Sequence, residues 1–336
     1  MLYNQPYFLS HQTAIQFWRI HAESKKPFAY SQCFRKLPDS KPDTPSSQVG
    51  DGDPVNMLQH ESLKGLTAPF HIMVGSKSAR QKSRSEVQAL LHYHVHSGST
   101  PRGSFLYADN QQSVLTVSSP EFCFFQMASE MSLIELIEFG YELCGTYSLA
   151  AFDCVPLTSL KQLQTFVSRM KGEKGYKKAT RALRFITDGS ASPMETKLTL
   201  LLTLPNALGG YNLPIPELNS RIAQTKTAAR IADRSYYSCD LFWADAGLAV
   251  EYDSDSFHTG AERIARDASR RNALAAIGVQ VITVTNRQLR DVEQFERIVI
   301  QIAKNTKHRL SHDKPEFKAC RRDLRIQLLN PDSTTN

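Results

Sequence analysis

The second half of the chain gathers acids at spacings that suit metal-assisted chemistry. In LAVEYD, residues 248–253, the alternation of a β-strand places Ala249, Glu251 and Asp253 on one face and Leu248, Val250 and Tyr252 on the other. Asp245-Ala246-Gly247 is a hairpin signal. Across it, Cys239, Leu241 and Trp243 make an apolar face, and Asp240 falls on the opposite one, where it can meet Glu251. Carboxylates held this close repel unless a cation lies between them. Hard oxygen donors with room for water suit Mg²⁺ or Mn²⁺. Beside a phosphodiester, such an ion generates hydroxide and stabilises the leaving oxygen. An acid-x-acid triplet alone is more often a solvated strand edge. Four further features turn the reading toward chemistry. Glu195 opens the preceding helix, where its charge also suits the positive helix end. His258 follows in YDSDSFH, Asp267 precedes Arg270 and Arg271 at helical pair spacing, and the strand VQVITVT follows Gly278.

These residues need elements to hold them. Residues 194–204 read as a helix, with Ser192 as cap and Pro193 in the first turn. Strands follow at 217–223, 236–244 and 248–253, then a helix over 260–277 ending at Gly278, a strand at 279–285 and a helix at 288–305. The order α-β-β-β-α-β-α predicts a mixed sheet flanked by helices, so the fold class is α/β. In the first half, a helix is expected at 10–22, capped by Ser10, with β-like runs at 69–74, 89–96 and 113–117. A helical stretch is expected at 121–150, with Phe124, Met127, Leu133, Leu136 and Ile137 as its buried stripe. Helix continues over 157–186, broken around Gly172–Gly175, and the turn-rich Thr187–Pro193 marks a domain boundary. The expected organisation is a smaller α+β accessory domain at 1–186 with a mobile loop at 37–65, a sheet domain at 190–306 and a tail at 307–336.

Forty Lys and Arg against 33 Asp and Glu give a net charge of +7, which favours a polyanionic partner. Residues 161–184 carry eight cations against Glu173 alone, an excess equal to that of the whole chain. Lys174, Lys177, Lys178, Arg181 and Arg184 are candidate DNA phosphate contacts; the plainer reading is a solvated helix face. Lys77, Arg80, Lys82 and Arg84 form a second basic cluster. His92, His94 and His96 place three imidazoles on one strand face, and zinc binds such sets. Without an acidic partner nearby in sequence, a surface or interface face is expected instead. Six cysteines without a CxxC pair argue against a disulfide scaffold or a zinc ribbon. No apolar run is long enough to span a bilayer, and the start MLYNQPYFLS does not read as a secretory signal. The expected setting is therefore the cytoplasm, with no membrane partner.

The ordered set SPMETKL, YYSCDLFWADAGLAVEYDSDSFH and RDASRRNALAAIGVQVITVT resembles the PD-(D/E)XK restriction-endonuclease-like superfamily, in its branch related to very short patch repair (Vsr) endonucleases. The resemblance covers about residues 190–305 and rests on Glu195, Asp240, Glu251-Tyr252-Asp253, His258, Asp267, Arg270, Leu274 and Gly278 taken together. It implies a restriction-endonuclease-like sheet and an endodeoxyribonuclease using Mg²⁺ or Mn²⁺. Asp240 and Glu251 would hold the metal, helped by the Tyr252 carbonyl, with Glu195 supporting the site and Arg270 or Arg271 holding phosphate. The family's Lys position is here Asp253, which cannot stabilise developing negative charge, so His258 inherits the role of base. PFHIMV, LHYHVH and SSPEFCFFQMA in the first half are similar, more weakly, to the segment preceding such domains in actinobacterial proteins and to AbiEi-type antitoxin regulators. The competing expectation is therefore a non-catalytic, antitoxin-like DNA-binding regulator with a protein partner, in which the nuclease fold persists only as a binding module.

Overall fold

The computed structural model describes residues 7–21, 63–74, 90–96, 100–109, 114–148, 153–223, 236–254, 261–311 and 314–330. Outside the described residues lie all but the last three positions of the loop expected at 37–65, the cluster Lys77, Arg80, Lys82 and Arg84, and His258. The chain divides into two compact units, 1–186 and 187–336. Both contain a mixed sheet with helices packed beside it, an α/β arrangement. Among the described residues no helix is long and apolar enough to cross a membrane.

The first unit begins with β1 (Tyr7–Leu9) and α1 (His11–His21), followed by β2 (Phe70–Val74), β3 (Leu91–Val95), β4 (Phe105–Asp109) and β5 (Val114–Ser118). The sheet order is β3-β2-β1-β5-β4. β1 runs antiparallel to β2 and parallel to β5, at the sheet centre. Sequence periodicity missed β1, because three residues are too few to show a period of two. It also missed β4, which pairs antiparallel with β5.

The helical stretch expected at 121–150 is two helices, α2 (Pro120–Met127) and α3 (Leu133–Cys144). The break is chemical. Ser132 accepts the Glu135 N–H, and the Glu135 side chain returns to the Ser132 N–H, a reciprocal cap that starts a new helix. Phe124, Met127, Leu136 and Ile137 are buried as expected, and Leu133 is partly buried. α4 (Leu160–Ser168) and α5 (Tyr176–Ala182) flank Gly172 and Gly175, whose φ angles of +97° and +95° explain the expected interruption.

The second unit follows the expected order: α6 (Pro193–Thr203), β6 (Glu217–Ala223), β7 (Tyr236–Trp243), β8 (Leu248–Asp253), α7 (Ala261–Ala276), β9 (Gln280–Thr285), α8 (Asn286–Arg290) and α9 (Val292–Asn305). The sheet order is β6-β7-β8-β9; the first two pairings are antiparallel and β8–β9 is parallel. α6 packs on β7 and β8, and α7 on β9. Within 307–336, read as a tail, α10 (Pro315–Leu329) packs on α6. It lays the Arg321 guanidinium 4.5 Å over the Tyr211 ring and that of Arg325 5.3 Å over Phe295. Gly209 admits this helix: its φ is +90°, and a Cβ there would lie 2.3 Å from the Cys320 carbonyl oxygen.

Candidate functional site

β7 and β8 pair Trp243 with Leu248, Phe242 with Ala249 and Leu241 with Val250, and the pairing ends there, one residue short of Asp240 and Glu251. The side-chain alternation expected along β7 fails at one point. Cys239 does not share its surroundings with Leu241. It packs with Tyr237, Ala249, Ala273 and Leu274, a cluster that Phe242 also touches. Positions 239 and 242 would face opposite ways in a regular strand. The neighbouring strand is irregular at the same level. Asn219, level with Asp240 on β6, has φ of +47°, and that pair is missing from a ladder otherwise regular from Glu217 to Ala223. The distortion removes Asp240 from ordinary pairing and frees its carboxylate Oδ2 to accept the Tyr252 N–H at 2.9 Å.

Glu195 stands at the start of α6, where its own N–H is capped by Ser192 Oγ at 3.1 Å. Its Oε2 accepts hydrogen bonds from Asn219 Nδ2 at 2.7 Å and from the Ala191 N–H at 2.9 Å. Glu195 is therefore both the helix-end acid expected and the anchor that holds the distorted Asn219. Burial, then the charges of Glu195 and Glu251, push the Asp240 carboxyl up to about 7, against the opposing pull of the Tyr252 N–H and Arg270. Cys239 beside it is pushed up to about 12, by burial first and then by the Glu251 charge.

Arg270, the expected phosphate holder, grips Glu251. Its Nη1 lies 2.6 Å from Oε2 and its Nη2 2.5 Å from Oε1, and Nη2 also donates to the Ser238 carbonyl. The forked guanidinium thus meets both carboxylate oxygens. Asp253 is exposed at the end of β8, level with Thr285. Arg271 is exposed on α7. What the structure gathers is therefore Glu195, Asp240, Glu251 and Arg270, three acids and one cation. Their ligand atoms do not all lie within 4.8 Å of one another, a condition that among the described residues only His11, His94 and Glu130 meet.

In the first unit, Lys174, Lys177, Arg181 and Arg184 are exposed. Lys178 differs: it is half-buried and its Nζ donates to the Met131 carbonyl at 2.6 Å, which gives it a structural duty.

The histidines also depart from expectation. His94 does have an acidic partner, 36 positions further along: its Nδ1 lies 3.0 Å from Glu130 Oε1. His11 Nε2 approaches the same oxygen at 3.3 Å. Among the described residues, His11, His94 and Glu130 form a group whose potential ligand atoms all lie within 4.8 Å of one another. His92 is exposed on β3, and the His96 ring rests edge-on against Phe122. Sequence spacing could not reveal this group, because a helix start, a strand and an interhelical loop contribute one residue each. The capping box at Ser132 was the one available hint that Glu130 sits in a loop.

Two proteins of Mycobacterium tuberculosis resemble the chain: the uncharacterized protein MT2308 of strain CDC 1551 / Oshkosh and the uncharacterized protein Rv2248 of strain H37Rv. Each is 24% identical over 173 residues, which is 50% of this chain and 58% of the relative. The chain thus spans a little over half the length of the curated relatives it matches. No protein-family profile matches it, and no solved structure does.

Proposed function

We propose that the chain is a metal-dependent DNA endonuclease of the cytoplasm. Its second unit would be a restriction-endonuclease-like domain of the Vsr-related branch. The observation that carries this reading is Asp240: a part-buried carboxyl, missing from the β6–β7 ladder and pressed by the charges of Glu195 and Glu251. Burying like charges together is costly without a compensating cation. Mg²⁺ or Mn²⁺ fits these donors, since carboxylate oxygens are the ligands such ions select. Asp240 and Glu251 would hold it, and it would supply a polarised water and charge neutralisation at the phosphate. The Arg270 guanidinium is paired with Glu251. On phosphate binding, Arg270 would exchange Glu251 for the anion, a bidentate partner of the same kind. His258, by resemblance, would accept the proton of the attacking water, and Asp253 would orient that water from the strand end. Glu195 positions Asp240 through Asn219.

A second reading has a specific observation behind it. Both Glu251 oxygens are occupied by Arg270, and Asp253 stands where the family places Lys. A non-catalytic DNA-binding regulator, antitoxin-like, would keep this fold with the acids neutralised. Supercoiled plasmid incubated with the full-length chain decides between them. The endonuclease converts it to open-circle or linear form with Mg²⁺ or Mn²⁺ and leaves it intact with chelator. A shift in mobility with no cleavage under either condition supports the regulator.

For either reading, the exposed cations of the first unit are proposed to bind phosphate. Changing Lys174, Lys177 and Arg181 together to Gln should weaken binding to unrelated duplexes alike. The slope of log affinity against log salt should fall by about 0.9 for each phosphate no longer neutralised. Lys178→Gln should instead lower stability with little change in that slope, because its ammonium caps the Met131 carbonyl. An unchanged slope in the triple variant assigns those cations to solvation.

A further inference from the structure

We propose that His11, His94 and Glu130 form a binding site for one zinc ion in the first unit, separate from the carboxylates of the second. Three observations carry it. The first is spacing. Two ligands about 2.0–2.2 Å from a tetrahedral zinc lie about 3.3 Å apart. Glu130 Oε1 stands 3.3 Å from His11 Nε2 and 3.0 Å from His94 Nδ1, so both edges already have the length a shared ion would set.

The second is orientation of the rings. A ligating imidazole needs its other nitrogen held, which fixes the tautomer and aims the ring. His11 Nδ1 is 3.0 Å from Ser10 Oγ, and His94 Nε2 is 2.7 Å from His71 Nδ1. Each ring therefore offers Glu130 and the ion its remaining nitrogen, with the far side engaged. His71 is a positioning residue here. The two ligand rings stack with centroids 3.6 Å apart and planes 21° apart, which packs them on the same side of the site.

The third is the backbone that delivers His11. This residue is buried at 5% exposure and sits at φ of +50°, a left-handed conformation that costs a non-glycine residue free energy. Its N–H is tied to Gln126 Oε1 at 3.2 Å, so α2 helps hold the turn. Glu130 belongs to the break between α2 and α3. Two imidazoles and one carboxylate suit zinc and not Mg²⁺. The Glu130 side chain is 41% exposed, so the fourth position opens to water.

The test is competition. Full-length protein stripped of metal is titrated with zinc chloride against a chromophoric chelator. One tight equivalent per chain is expected, unaffected by excess Mg²⁺. Glu130→Gln, at a half-exposed position, should preserve folding, judged by the melting temperature. It should weaken zinc binding by more than about 100-fold, and His94→Asn should do the same. His71→Ala should cost about 10–100-fold, as removal of an orienting partner does. His92→Ala should bind as the wild type. Cobalt in place of zinc should give the visible bands of a four-coordinate N/O site, absent in Glu130→Gln. The proposal is overturned if the wild type takes up no stoichiometric zinc. It is equally overturned if folded Glu130→Gln and His94→Asn bind zinc as tightly as the wild type.

Discussion

Asp240→Ala protein is expected to lose plasmid cleavage by at least about 10³-fold, and to lose metal affinity with it. Asp240 feels the charges of both Glu195 and Glu251, so its removal takes a ligand from the proposed ion site and leaves Glu251 gripped by Arg270 alone. An ion at a phosphate contributes several kcal/mol of charge stabilisation, and each 1.36 kcal/mol is worth about tenfold in rate. His258→Ala should behave differently. A general base contributes about 10²–10⁴-fold, and its removal leaves the carboxylates, and so metal binding, intact. The two variants therefore separate in a metal titration followed by tryptophan fluorescence or calorimetry, even where both are inactive on gels. Wild-type cleavage by Asp240→Ala would remove the endonuclease site from these carboxylates altogether. Wild-type rates for His258→Ala across pH 6–8 would assign proton acceptance to another group.

The second large effect is on stability, in metal-free buffer. Asp240 rises from an ordinary 3.8 to about 7 in the folded chain. Between these values the folded state holds a proton that the unfolded chain has released, so stability falls as pH rises from about 4 to 7. At 1.36 kcal/mol per unit the penalty reaches about 4 kcal/mol as an upper bound once the group ionises. Asp240→Asn keeps the shape and removes the charge. It should unfold at higher urea concentration than the wild type at pH 8, by an amount that shrinks toward zero near pH 4. Magnesium should close the gap at pH 8 by stabilising the wild type alone. An equal difference at both pH values would mean that packing, and not ionisation, sets the effect.

Much of the second unit was legible because its signals are local. The runs at 236–243 and 248–253 alternate with a period of two around a turn ending in Gly247, whose φ is +57°. Gly278, at φ of +81°, closes α7 where the helical pattern ends. Ser192 and Pro193 start α6 as their types require. Helical periodicity likewise carried α1, and glycine chemistry the break at Gly172–Gly175, since both act within a few residues.

Where the reading failed, the deciding interaction came from a distant segment. Cys239 packs with Ala273 and Leu274 of α7 beside the distorted Asn219, and nothing in YYSCDLFW records either. Arg270 has Asp267 to pair with by helical spacing, yet it reaches across to Glu251, 19 positions away. HYHVH lacked an acid in sequence, and folding brought Glu130 to it from the α2–α3 break. The sequence by itself determined the element order from α6 to β9, the β7–β8 hairpin and the basic character of 161–184, because periodicity, caps and charge are written residue by residue. Only the tertiary structure decided which charge neutralises Glu251, which face Cys239 takes and that His11, His94 and Glu130 converge. Those outcomes depend on packing and burial between segments far apart in the chain, where the cost of an unpaired charge is settled only once water has been excluded.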